Sequence, residues 1–460
     1  MIWRGLRCSA VLVLLAVPAG ATEVHGGGEL GFWYLQNDVS DAAGFQLDDG
    51  YGAIYVQRRY MLGNLHLKLD ALDLGNGSNT KYNTHFDGRV LWNINHHADS
   101  LAIPDRTRQQ VDELSLEAAG IGERTDLWLG RQTLYEAGGV GVDGARVIYH
   151  LSDQLGFGVY GGLANDPRNF TGYIGPAYRS RPFSSHFETG GLFLSQKSER
   201  LRLDAAVNAG FYKAKIDRLA VYSQAVYQLN PTWTFSGMAD LGVAGDRGIK
   251  GVSAFVTTRV TSRITNTASF LRFTTLRYKE SNVSAIPVPA GIDASLVRGA
   301  DVVTSSYNSG RDQVQIRILD RNYIFGGFQV TRRTFDDANQ FKYTAGYRDP
   351  TLFGSTFDLR LQTDVIDNYR GFNTALDTLL GKEFSDGKVR LEGGATFYAN
   401  ERNLASEVGK DRSYRFNVFY LPTKTFSWLI NYALHEERDV VNGSQRIRVH
   451  DLYFSSAFRF

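Results

Sequence analysis

Cysteine is almost missing from this chain of 460 residues, with Cys8 the only one. It lies ahead of the apolar run Ala10 to Val17, in a leader that carries Arg4 and Arg7 before the run and the small residues Ala19, Gly20 and Ala21 after it. That is the layout of a secretory signal peptide over residues 1–21, whose apolar core is too short to span a bilayer. With cleavage after Ala21, the mature chain 22–460 holds no thiol. This suits an oxidising compartment and excludes disulfides and Cys-based metal or haem attachment.

Net charge is missing as well. Removing Arg4 and Arg7 from the 50 basic residues leaves 48, against 48 acidic ones, so the mature chain is formally neutral and carries no nucleic-acid footprint. Proline (10) and methionine (3) are scarce, whereas Gly (48), Phe (28) and Tyr (24) abound. Strand formers, tight turns and interfacial rings with few breakers make an all-β composition. The mean hydropathy of −0.26 does not exclude a membrane protein, because barrel strands are apolar on one face only.

What is present is alternation with a period of two, from Gly28 almost to the last residue. Leu65, Leu67 and Leu69 stand against His66, Lys68 and Asp70, and Leu114, Leu116 and Ala118 against Glu113, Ser115 and Glu117. Leu203, Ala205 and Val207 oppose Arg202, Asp204 and Asn208, and Leu359 and Leu361 oppose Asp358, Arg360 and Gln362. Successive side chains on a strand point to opposite faces, so each run offers one face to lipid and one to water. Turn chemistry punctuates the runs in two classes. Ser152-Asp153-Gln154, Leu229-Asn230-Pro231-Thr232, Ser385-Asp386-Gly387-Lys388 and Leu421-Pro422-Thr423-Lys424 read as tight turns. Longer connections fall near 37–49, 96–108, 166–184, 280–309 and 401–411, and the two classes belong at opposite ends of an up-and-down barrel.

The expected fold is therefore an all-β, antiparallel transmembrane barrel. About 23 runs can be counted, and even numbers are the rule, so about 22 strands are expected within a range of 18 to 24. The doubtful stretch lies between Tyr82 and Gly120, where Thr84 to Asn95 alternates poorly and His96 to Arg108 reads as a loop on either side. Strand patterning begins so soon after the leader that no N-terminal plug has room. A 22-strand cylinder has an interior worth holding open.

The last stretch, Arg446 to Phe460, places Leu452, Phe454, Phe458 and Phe460 on one face with His450 and Ser456, and Asp451, Tyr453, Ser455, Ala457 and Arg459 on the other. Alternating aromatics ending on a terminal Phe resemble the C-terminal assembly signal of Gram-negative outer-membrane β-barrel proteins, with Ser456 a departure from the pattern. The resemblance implies insertion by the barrel assembly machinery, outer-membrane lipid as surroundings, and porin-type membership.

The most motif-like stretch is Leu127 to Val147. Gly139, Gly141 and Gly144 satisfy G-x-G-x-x-G, but dinucleotide binding needs a following helix, and Ala145 to His150 reads as strand. A flexible glycine loop between two strands fits better. Gly130-Arg131-Gln132 closing one strand and Asp143-Gly144-Ala145-Arg146 opening the next are similar to the arrangement in outer-membrane porins and alginate-export-type barrels. That resemblance makes Arg131, Asp143 and Arg146 candidates for a charged constriction, and a structural salt-bridged loop is the alternative reading. Glu113, Glu117, Arg202, Arg317, Arg360 and Arg390 belong on the inner face, since a basic side chain at mid-membrane costs about 2–4 kcal/mol on the lipid side. Their mixed signs point to weak ion selectivity.

No catalytic set emerges. His96-His97 is the only His pair, and strand neighbours point apart; no nucleophile motif accompanies His435 or His450. No metal or cofactor is expected and the chain does not read as an enzyme. The function expected is passive diffusion of small hydrophilic solutes, with the barrel alone or as a homo-oligomer. The alternatives are a scaffold around a cytochrome partner, as in porin-cytochrome conduits, or a polysaccharide export pore. Two loops, Asp166 to Ser184 and Ser281 to Gly310, are candidates to occlude the lumen.

Overall fold

The computed structural model describes residues 23–40, 58–74, 80–94, 107–164, 187–212, 214–245, 247–274, 306–333, 339–352, 355–368, 371–402, 407–439 and 445–460. The expected leader and both candidate occluding loops lie outside the described residues, apart from a few positions at the end of the second loop, which begin a strand.

Alternation becomes 22 strands: β1 Glu23–Ser40, β2 Arg58–Leu72, β3 Lys81–Asn93, β4 Thr107–Ile121, β5 Thr125–Leu134, β6 Val140–Ser152, β7 Leu155–Ala164, β8 Phe187–Lys197, β9 Leu201–Tyr212, β10 Lys215–Gln228 and β11 Trp233–Gly245. The second half comprises β12 Gly248–Arg259, β13 Ile264–Thr274, β14 Ser306–Arg317, β15 Tyr323–Arg333, β16 Asn339–Asp349, β17 Phe357–Asn368, β18 Gly371–Phe384, β19 Val389–Arg402, β20 Glu407–Thr423, β21 Phe426–Asp439 and β22 Gln445–Arg459. Each strand pairs antiparallel with its chain neighbours, and β22 pairs with β1, so the sheet closes and leaves no edge. The expected barrel and strand number both hold. The poorly alternating Tyr82 stretch is β3, and no plug and no α-helix stand among the described residues.

The seam between first and last strands is held on both faces. Gly26 and Phe460 exchange both backbone bonds at 3.0 Å. Inside, the Tyr453 hydroxyl donates to Glu29 Oε1 at 2.6 Å and the Trp33 indole donates to Asp451. Outside, Phe454 lies opposite Phe32 and Leu452 opposite Tyr34.

Two connections differ from the sequence expectation. β20 runs through Leu421 to Thr423, so the tight turn is Lys424-Thr425, and the supposed long connection near 401–411 is mostly strand. The short turns at one end include 122–124, 153–154, 385–388 and 424–425, while the connections 41–57, 165–186 and 275–305 all leave the other end. Aromatic rings collect on the outer face near the short-turn end. Trp233 stacks on Phe235 at 6.0 Å, Trp428 meets Tyr420 and Phe426, Phe458 stacks on Phe460, and Lys382 lies over Phe357 and Phe384. Rings of this kind sit at headgroup level in transmembrane barrels.

The outer face is largely apolar at mid-height, while towards the long-connection end it carries polar side chains such as Arg272, Asn308 and Arg332 in one row; at mid-strand it also holds a carboxylate. Asp312 on β14 pairs in register with Ala268 and Phe328, both outward, and its Oδ1 accepts from Asn266 Nδ2 at 2.7 Å.

A constricted lumen as candidate functional site

Register assigns every side chain to a face. Asp204, Ala206 and Asn208 on β9 point inward, and their partners Gln224, Tyr222 and Ala220 on β10 share that face. Following the pairs round the ring brings Trp128, Arg146, Tyr160 and Phe193 inside, while Leu129, Val159, Leu192 and Val207 face out.

The lumen is narrowed by the hairpin of β5 and β6. The last pair between β4 and β5 is Leu114 with Arg131, whereas β4 continues along β3 as far as Thr107 opposite Trp92. β5 therefore leaves the wall part-way up. The departure follows a row of glycines, with Gly130 opposite Gly144 and Gly144 opposite Gly162. Gly130 has φ +121, and a Cβ there would lie 2.3 Å from Leu114 O; at Gly144 it would lie 2.1 Å from Gly161 O. Backbones approach there more closely than any side chain permits, which is what a sharp bend in a sheet requires.

Beyond the bend the hairpin leans inward onto β8, β9 and β10 at mid-strand. Leu134 and Val142 are fully buried, in one apolar cluster with Ala137, Val140, Tyr160, Phe193, Ala206 and Tyr222. Its tip is a single 3-10 turn, Tyr135–Ala137, closed by Gly138 and Gly139 at φ +82 and +75. Gly138 abuts the Tyr222 ring, so the positive φ and the lack of room both demand glycine. Asn208 Nδ2 donates to Ala137 O at 2.9 Å, and the Tyr160 hydroxyl donates to Asn208 Oδ1 at 2.8 Å. Each apolar side chain buried in this way contributes about 1.5–3 kcal/mol. The sequence reading of a flexible glycine loop is thus corrected: the glycines serve a bend and a tight turn in a packed element.

Arg131 and Asp143 lie on the hairpin face turned away from that cluster. Arg131 Nε and Nη2 donate to the two Asp143 oxygens at 2.6 and 2.7 Å, and Nη1 donates to Val111 O on β4 at 2.9 Å. Val111 lies past the point where β4 loses β5, so the guanidinium ties the departing hairpin to the strand it left. Arg146 faces inward, its Cζ 4.0 Å from the centre of the Trp128 ring and its Nη1 3.4 Å from Glu136 Oε2.

The wall of β2 to β6 is acid-rich and laced with histidine. His85 bridges Asp70 and Glu117 at 2.8 and 3.1 Å, Asn83 also donates to Glu117, His66 meets Asp87, and His150 meets Asp126. Glu113 accepts from Ser115 at 3.3 Å. Half-way round the ring the wall carries basic side chains, most of them paired with carboxylates. Arg390 spans Asp358, Glu383 and Glu392, Arg415 holds Asp377, and Lys342 holds Asp364. Arg311 and Arg360, however, donate to the carboxamides of Gln313 and Gln362 and have no carboxylate partner among the described residues. These groups line a groove of about 470 Å³ with Gln315, Phe325 and Gln329.

The structure thus gathers Arg131, Asp143, Arg146, Glu113 and Glu117 at or beside the hairpin. Arg317, Arg360 and Arg390 lie on the far wall, and Arg202 near the short-turn end of β9, with Arg317 donating to Ser262 O and Arg202 lying 3.7 Å from Asp204. Leu452, Phe454, Phe458 and Phe460 face outward. Tyr135, Asn208 and Tyr160 carry no motif and escape a reading of the sequence. Only the spacing of Gly130, Gly144 and Gly162 hints at the bend.

Fold and lumen define a transmembrane up-and-down β-barrel with an internal constriction. No family model matches the chain, and no curated protein matches it. Among solved structures it is similar to Pseudomonas aeruginosa OpdQ, at 9% identity and a TM-score of 0.41 over 96% of this chain and 99% of that one. It is also similar to Acinetobacter baumannii OccAB2, at 9% identity and 0.46 over 96% and 99%, and to OccAB4 of the same organism, at 12% and 0.39 over 96% and 100%.

Proposed function

We propose that the chain is an outer-membrane channel through which small hydrophilic solutes diffuse passively, with no chemical step. The observation that carries this reading is a closed barrel, largely apolar outside at mid-height and charged within, narrowed by a packed hairpin of its own chain. Passage is set by width and by fixed charge along the lumen, where the acid-rich wall beside the hairpin and the arginines of the far wall line the way. Arg131 and Asp143 act by holding the hairpin at its angle, and Arg146, Glu113 and Glu117 supply charge beside it.

A scaffold for a guest cytochrome is the weaker reading, because the hairpin occupies lumen that a guest would need. The outward row Leu452, Phe454 and Phe458 supports recognition of the last strand by the assembly machinery, with outer-membrane lipid as the final surroundings. A planar-bilayer recording of the refolded protein tests the proposal. Stepwise conductance is expected, and a folded barrel that inserts but passes no current would refute it.

A further inference from the structure

One side chain of the constriction takes no part in holding the hairpin. Tyr135 is 73% exposed, more than any other large apolar side chain among the described residues. Its neighbour Leu134 is fully buried in the cluster, and Tyr135 opens the 3-10 turn at the hairpin's tip, which Asn208 on the inner face of β9 holds inside the ring. The backbone beneath the ring is fixed on every side. Gly138 N donates to Tyr135 O at 3.1 Å, Gly139 N to Leu134 O at 2.9 Å, and Asn208 to Ala137 O. The next residue, Glu136, is held by Arg146, itself stacked on Trp128.

A tyrosine ring this exposed, on a turn held inside the barrel, does nothing for packing. It offers each passing solute a flat π-face with a phenolic oxygen at the rim, and the next residue along the turn is a carboxylate, Glu136. We infer that Tyr135 is a solute-contacting residue that gives the pore a binding step for small aromatic solutes bearing a polar group. Their ring stacks on Tyr135 and the polar group meets Glu136. This rests on the pore reading above and adds a preference within it.

The test compares wild type, Tyr135→Ala, Tyr135→Phe and Tyr135→Leu in planar bilayers, with benzamide and acetamide as probes that share a polar group and differ in the ring. Benzamide should reduce the wild-type current in a saturable way and acetamide should not. Tyr135→Ala and Tyr135→Leu should weaken the benzamide effect by about 3- to 10-fold, the factor one aromatic contact contributes, and Tyr135→Phe should retain it. Tyr135→Leu keeps the bulk, so it decides the matter even if the alanine variant fails to assemble. Equal action of the two amides on wild type, or an unchanged benzamide effect in Tyr135→Leu, overturns the inference and leaves the pore standing. A wild type that passes no current overturns the pore itself.

Discussion

Arg131 grips both carboxylate oxygens of Asp143 on the hairpin face turned away from its apolar cluster, and its remaining Nη donates to Val111 on the strand the hairpin has left. One guanidinium therefore spans the two arms of the hairpin and the wall. Losing one partner of a charged hydrogen bond costs about 1.5–3 kcal/mol. Asp143→Asn should therefore raise local opening of the hairpin, read as faster hydrogen exchange at the amides of Leu134 to Val140 with the rest of the barrel unchanged. Arg131→Lys should behave in the same way, since an ammonium cannot reproduce the fork.

The glycine row makes a sharper prediction. A Cβ at Gly144 meets Gly161 O at 2.1 Å, whereas a Cβ at Gly393, on the outer face of β19, meets nothing within 4 Å. Gly144→Val should lower the yield of folded barrel, measured as the species whose electrophoretic mobility changes on heating. Gly393→Val should assemble like wild type. Equal yields would show that the wall does not bend at this row.

Asp312 is a carboxylate on the lipid side, bonded to Asn266. Acidic residues cost less there than the 2–4 kcal/mol of a basic one, so a gain of about 1–2 kcal/mol is expected from removing it. Asp312→Leu combined with Asn266→Val should raise the urea concentration needed to unfold the barrel in lipid vesicles. Single Asp312→Leu should gain less, because it leaves the Asn266 amide without its acceptor. A lowered midpoint in the double variant would mean that this face does not lie against hydrocarbon.

The barrel was legible in the sequence because a strand buried on one face writes its period into every second residue. Leu65, Leu67 and Leu69 lie out and His66, Lys68 and Asp70 lie in, as the alternation requires. β3 was harder: Thr84 and Gly88 are outward positions that carry no apolar signal, and Asp87 to Gly88 holds a bulge against β4. The constriction was half legible. Its glycines and its charged pair stand out as a motif, yet the bend depends on Gly162, two strands away from Gly130, and only strand register brings them together. Tyr135 and Asn208 gave no signal, because exposure inside a lumen and a side-chain bond across 71 positions are properties of the closed ring.

Leu134 is the anchor of the hairpin, fully buried in the cluster with Val142, Phe193 and Tyr222. Leu→Ala changes in such surroundings cost about 2–5 kcal/mol, and a buried carboxylate costs more. Single-channel recording of Leu134→Asp beside wild type tests the constriction directly. Stepwise currents in both, with larger and noisier steps in the variant, are expected of a pore narrowed by a docked hairpin. Steps of the same size in a variant whose Leu134–Val140 amides exchange freely would contradict it.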